Sequence, residues 1–153
     1  VDSTARADEA TILAFDFGTR RIGVAIGNSL TRIARPLTTI EGEASAARFE
    51  AIASLIDEWR PDIIIVGRPV HADGSEHEMT ARAERFARQL SGRFGLKIGC
   101  VDERFTSLAA DAELAAAGVH RKSRKAARDA VAAQLILQSW FDETDRNPIR
   151  GPA

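Results

Sequence analysis

Residues Ile63-Ile64-Ile65-Val66 form an unbroken β-branched apolar block between Asp62 and Gly67. A strand with one wet face alternates apolar and polar residues, whereas one that is apolar at every position is buried on both faces. Such a strand needs a covering layer on each side, so the chain must build a sheet with helices above and below it. With 153 residues there is room for one domain of that kind.

The flanking segments supply the layers. Residues 12–17 and 22–26 are short apolar runs separated by the turn Gly18-Thr19-Arg20-Arg21, a hairpin pattern. Residues 35–40 can add a third strand. Over residues 44–60, Phe49, Ile52, Ala53, Ile56 and Trp59 recur at helical spacing until Pro61 stops the helix. After the central block, Ser75 and Glu78 have capping-box spacing, and Met79, Ala83, Phe86, Ala87, Leu90 and Phe94 trace one helix face. Residues 97–101 read as a fifth strand, 107–117 as a helix stopped by Gly118, and 125–143 as the last helix. This order predicts an α/β fold: a mixed five-stranded sheet, antiparallel meander first and strand-helix crossovers after, with helices on both faces. Residues 1–10 and 144–153 are expected to be flexible segments flanking a domain over 11–143.

Lys and Arg number 21 against 22 Asp and Glu, so no overall basic charge announces a polyanionic partner, which must be read locally. The basic residues are 18 Arg and 3 Lys, and the planar Arg fork suits phosphate. Cys100, the one cysteine, excludes an intrachain disulfide and a cysteine zinc site; its apolar surroundings predict a buried thiol. No apolar run approaches the roughly 20 residues that span a bilayer, and the first ten residues are polar, so a cytoplasmic protein without membrane contact is expected.

Three carboxylates stand where apolar sequence would bury them. Asp16 interrupts Leu13-Ala14-Phe15-Asp16-Phe17, and a lone buried carboxylate is costly without a partner. Capping the turn at Gly18 is the competing reading. Asp102 and Glu103 end the fifth strand, beside Arg104, where a salt bridge would be the ordinary explanation. Asp129, near the start of the last helix, is followed at helical spacing by Ala132, Ala133 and Ile136, so it projects along an apolar stripe. Hard-oxygen donors with no Cys or His cluster suit Mg²⁺ or Mn²⁺ rather than zinc, and three carboxylates around such an ion suit phosphodiester hydrolysis. Phosphate-binding candidates surround them: Arg20 and Arg21, Arg104, and Arg121, Lys122, Arg124 and Lys125 in an acid-free run that opens onto Asp129. With no Tyr, a Cys within a strand and His71, His77 and His120 away from the acidic motifs, an attacking water fits better than a protein nucleophile. Thr19 and Thr106 are the nearest hydroxyl alternatives.

Four motifs occur in order: Ala14-Phe15-Asp16-Phe17-Gly18-Thr19-Arg20-Arg21-Ile22-Gly23-Val24-Ala25; Ile64-Ile65-Val66-Gly67-Arg68-Pro69 with Asp73-Gly74-Ser75; Asp102-Glu103-Arg104-Phe105-Thr106; and Asp129-Ala130-Val131-Ala132-Ala133. Over residues 11–143 the chain resembles the YqgF (RuvX) family of bacterial RNase H-like proteins, described as nucleases of precursor 16S ribosomal RNA and formerly as Holliday junction resolvases. The resemblance implies an RNase H-like fold and places the acidic site residues on Asp16, Glu103 and Asp129. It implies structured precursor rRNA as substrate, with ribosomal particles as partners and branched DNA as the alternative. Arg68 and His71 depart from the family's usual Leu and Asn, and Arg128 from an aliphatic residue, which bears on substrate contacts. Two rivals are weighed beside it. Asp-Phe-Gly-Thr also resembles the phosphate loop of the actin, Hsp70 and sugar-kinase superfamily, which holds ATP between two such domains. A nucleic-acid-binding protein of ribosome assembly or transcription that does not cut is the other.

Overall fold

The computed structural model describes residues 9–71, 73–103, 115–116, 118 and 121–146. The expected helix over 107–117 falls almost entirely outside them, as do residues 1–8 and 147–153. The order is β1 (Thr11–Phe17), β2 (Arg21–Asn28), β3 (Ala34–Glu41), α1 (Ser45–Trp59), β4 (Ile63–Pro69), α2 (Thr80–Phe94), β5 (Lys97–Glu103) and α3 (Arg121–Arg146). The five strands lie in the order β3-β2-β1-β4-β5. β1–β2 and β2–β3 are antiparallel, while β1–β4 and β4–β5 are parallel, which is the predicted meander followed by crossovers.

Each face of the sheet has its own core. Leu13, Phe15, Ile22, Val24, Ile64 and Val66 pack against Phe49 and Ile52 of α1 and Phe86, Ala87 and Leu90 of α2. Ile12, Ala14, Ala25, Ile65 and Val101 pack against Ala133, Ile136, Leu137 and Phe141 of α3. Ile64, Ile65 and Val66 are wholly buried, as an apolar block covered on both sides requires.

α3 closes onto β2 because β2 presents only small residues to it. Gly23, Ala25 and Gly27 alternate with the buried Ile22, Val24 and Ile26. A Cβ on Gly23 would overlap the backbone carbonyl of Asp129, and one on Gly27 would sit 2.8 Å from the Phe141 ring. Amide groups then tie the helix to the meander: Gln138 accepts from the Ala34 N–H at 3.0 Å and donates to the Arg32 carbonyl at 3.0 Å.

Three expectations are corrected. Ser75 does not cap α2, which begins at Thr80. The Ser75 N–H and hydroxyl both donate to Asp73 Oδ1, at 2.9 and 2.6 Å, so an Asx turn captures the side chain before a helix can use it. Thr80 instead fastens the helix start by donating to the Pro69 carbonyl and accepting from the His77 N–H. The last helix begins at Arg121, not 125, which puts Asp129 in its third turn, away from the helix N-terminus and its dipole. Cys100 is exposed, not buried, because β5 is an edge strand and only Val101 within it is fully covered.

Candidate active site

Strand alternation decides which acid enters the site. On β1, Ile12 and Ala14 belong to the α3 face, so Asp16 points there too, while Phe17 points to the opposite face and packs on Phe86. On β5, Val101 belongs to the α3 face, and Glu103 two residues later follows it. A Cβ on Gly67 of β4 would overlap both Glu103 Oε2 and Ile136, so Gly67 is the space into which the Glu103 carboxylate folds. Asp102 points the other way, where Arg68 Nη1 donates to its Oδ1 at 3.1 Å. The ordinary salt-bridge explanation therefore holds for Asp102, with Arg68 as the partner.

Asp129 arrives from α3. Its backbone rests on Gly23, which is paired in register with Asp16, so the glycine opposite the first carboxylate is what admits the third. The residues read as a stripe from Asp129 are buried, Ala133 and Ile136 in the core beneath α3 and Ala132 in a smaller cluster with Val131. Arg21 Nε donates to Asp129 Oδ2 at 2.7 Å, across 108 residues of sequence.

Burial pushes the Asp16 carboxyl well above the usual carboxylate range, reinforced by the charge of Glu103, a hydrogen bond to Glu103 and the charge of Asp129. Two carboxyls can share a hydrogen bond only if one keeps a proton, and burial pushes Asp16 in that direction. Among the described residues no three Asp, Glu, His or Cys side chains form a ready-made metal cage. Asp16 and Glu103 are joined through a proton, and Asp129 is engaged by Arg21. This donor set suits a hard divalent cation: oxygen ligands only, like charges pressed together, and a shared proton that a cation could replace.

The other predicted residues fall as follows. Arg20 is exposed, its Nε 3.9 Å from Glu43. Arg104 and the side chains of Arg121, Lys122, Arg124 and Lys125 lie outside the described residues. His71 faces His77, with ring centroids 4.9 Å apart. Arg68 is held among Asp102, Glu84 at 3.4 Å and Glu76 at 3.6 Å, tying β4 to β5 and α2. Sequence reasoning missed Gly23 and Gly67, although the small residues alternating along β2 were a readable sign that something packs closely there.

A mixed sheet in this order, with carboxylates from β1, β5 and α3 gathered where α3 crosses the sheet, defines a protein of the RNase H-like fold. T. thermophilus RuvC in complex with a Holliday junction substrate superposes with a TM-score of 0.52 at 17% identity, covering 90% of this chain and 95% of that one. The fowlpox virus resolvase, solved with Holliday junction DNA, gives 0.51 at 8% identity, covering 87% and 97%. The model of the RuvX family, described as Holliday junction resolvase, matches residues 10–143. A relative from Burkholderia vietnamiensis (strain G4) is 51% identical over 141 residues, covering 92% of this chain and 95% of its own length. One from Dechloromonas aromatica (strain RCB) is 53% identical over 132 residues, covering 86% and 90%. Both carry the name "Putative pre-16S rRNA nuclease". The chain belongs to the RuvX family, and with it to the hydrolases that act on phosphodiester bonds.

Proposed function

We propose that this protein is a divalent-metal-dependent nuclease that trims the 5′ end of precursor 16S ribosomal RNA in the cytoplasm, working on ribosomal particles. The observation that carries the chemistry is the convergence of three carboxylates under α3: Glu103 in the space left by Gly67, and Asp129 resting on Gly23, the residue paired with Asp16. The relatives' name favours RNA over branched DNA. No described helix is long and apolar enough to cross a membrane.

In this reading Asp16, Glu103 and Asp129 hold Mg²⁺ or Mn²⁺. The cation supplies Lewis acidity and neutralises charge building on the phosphate oxygens. Asp16 and Glu103 would both have to be ionised to hold the cation, so affinity for it would fall as pH is lowered. Asp129 is neutralised by Arg21 in the free protein. With a cation bound, Asp129 would be a ligand to it and Arg21 would turn to a substrate phosphate. Arg20, Arg104, Arg121, Lys122, Arg124 and Lys125 are assigned to the substrate backbone.

The test is a cleavage assay on precursor 16S RNA and on a four-way DNA junction, with Mn²⁺ or with EDTA. Wild type should cut the RNA in Mn²⁺, and Asp16→Asn should cut more than about 100-fold more slowly, a ligand being worth at least what its supporting partners are. Full activity in EDTA, or in Asp16→Asn, overturns the metal reading; preference for the junction reassigns the substrate.

A further inference from the structure

The alternation that turns Asp16 toward α3 turns Phe17 to the other face, and there the end of the sheet opens into a cleft of about 390 Å³ between the first turns of α1 and α2. Its charged lining is Arg48, Arg82, Arg85 and Glu43. Arg48 is only 7% exposed. Its Nε donates to the Gly42 carbonyl and its Nη2 to the Gly18 carbonyl, both at 2.7 Å, and its guanidinium lies 5.5 Å from the Phe17 ring centre. Two carbonyls orient this cation, and among the described residues no carboxylate comes within ion-pair distance of it, Glu43 acting only through its charge. Arg82 and Arg85 are exposed and form no ion pair among the described residues. Glu43 is the only acid in the lining, and it already stands 3.9 Å from Arg20.

A second opening of about 400 Å³, lined by Arg20, Arg21, Glu41, Gly42 and Glu43, shares Glu43 with the first. It ends at Arg21, whose Nε is on Asp129. Five arginines therefore follow one another from the carboxylates, round the end of the sheet, to its opposite face. For a salt-bridge network this has too few acids, and for a merely solvated helix face it holds a buried, oriented guanidinium. A chain of phosphates meets both features, because each guanidinium can take a phosphate oxygen pair.

We propose that this is a track for the backbone of the substrate strand: Arg21 and Arg20 take phosphates next to the cut, and Arg48, Arg82 and Arg85 take phosphates further along the same strand. Phe17 lines the track as an apolar wall for a sugar or base. The proposal rests on the nuclease reading above, and its test reads binding without cleavage.

Labelled single-stranded RNA from the 5′ precursor segment is titrated with the full chain in EDTA, at salt from 50 to 200 mM. Arg82→Gln/Arg85→Gln is compared with wild type and with Arg88→Gln, which removes a charge from the same helix outside the cleft. Loss of two phosphate contacts should flatten the slope of log K against log salt by about 1.4 and weaken binding roughly 25-fold at 0.1 M, from about 0.7 per contact on single strands. Arg88→Gln should leave the slope unchanged. Equal slopes in wild type and the double variant, an equal effect of Arg88→Gln, or no RNA binding by wild type overturns the track. If wild type cuts RNA in Mn²⁺ while the slopes coincide, the track alone fails. If wild type never cuts but the double variant flattens the slope, the nuclease reading fails and the track stands.

Discussion

Along β1, successive residues serve two different interiors. Leu13, Phe15 and Phe17 join Phe49 and Phe86 in an aromatic core, with Phe86 edge-on to Phe15 at 6.0 Å and tilted by 33° against Phe17 at 4.8 Å. Ile12, Ala14 and Asp16 meet α3 across glycine and alanine, close enough for backbone to touch backbone. The aromatic face is filled by large side chains and gains its stability from buried area. The α3 face gives up side-chain volume so that three acids from distant segments can meet, which pushes the Asp16 carboxyl above the usual carboxylate range. Both faces bury a hydrophobic core, but only the α3 face also gathers the acids.

The comparison breaks most visibly if the aromatic face can be emptied without consequence. Phe86→Ala removes the ring that touches Phe15, Phe17 and Phe49 and should cost about 3–5 kcal/mol, read by urea denaturation. A loss below 1 kcal/mol would show that this face is not the main source of stability.

On the α3 face the two glycines should behave differently. Gly23→Ala drives a methyl group into the Asp129 backbone, which cannot move without shifting α3, and should cost about 3 kcal/mol. Gly67→Ala meets the movable ends of Ile136 and Glu103, so its stability cost should be about 1 kcal/mol. It displaces the Glu103 carboxylate, however, and cleavage should fall further than stability does. Equal stability losses in the two variants would refute the close backbone approach at Gly23.

The carboxylates themselves should act in the opposite direction. Because the folded-state pKa of Asp16 is raised, the folded protein binds the proton more tightly than the unfolded chain. Its contribution to stability is full below the unfolded pKa and is lost as pH rises through the folded one. In metal-free protein, Asp16→Asn should therefore raise the melting temperature at neutral pH and flatten its decline with rising pH. A variant less stable than wild type at neutral pH would contradict the shared-proton arrangement.

The smallest effect is expected at Arg68. Its three acidic partners form a partly exposed network, so Arg68→Leu should lower the melting temperature only slightly, with the difference shrinking in 1 M salt. A large, salt-independent loss would mean that the aromatic face depends on this ion network.

Much of this molecule can be read from local pattern. Apolar periodicity located all five strands and helices α1 and α2, and acids set in apolar sequence singled out Asp16 and Asp129, since burial of a charge is conspicuous wherever it occurs. Choosing between Asp102 and Glu103 needed more. Both end the same strand, and which of them faces α3 depends on the register of β5 against β4 and on the space left by Gly67. The Asp73 turn that took Ser75 from α2 and the edge position that exposes Cys100 likewise depend on neighbours that capping spacing and an apolar run do not contain. Arg21 looked like a free phosphate ligand until the fold laid it against Asp129, 108 residues away. Backbone preference and burial act over a few residues and are written locally; pairing between charges depends on which distant segments the sheet brings together, and only the tertiary structure decides that.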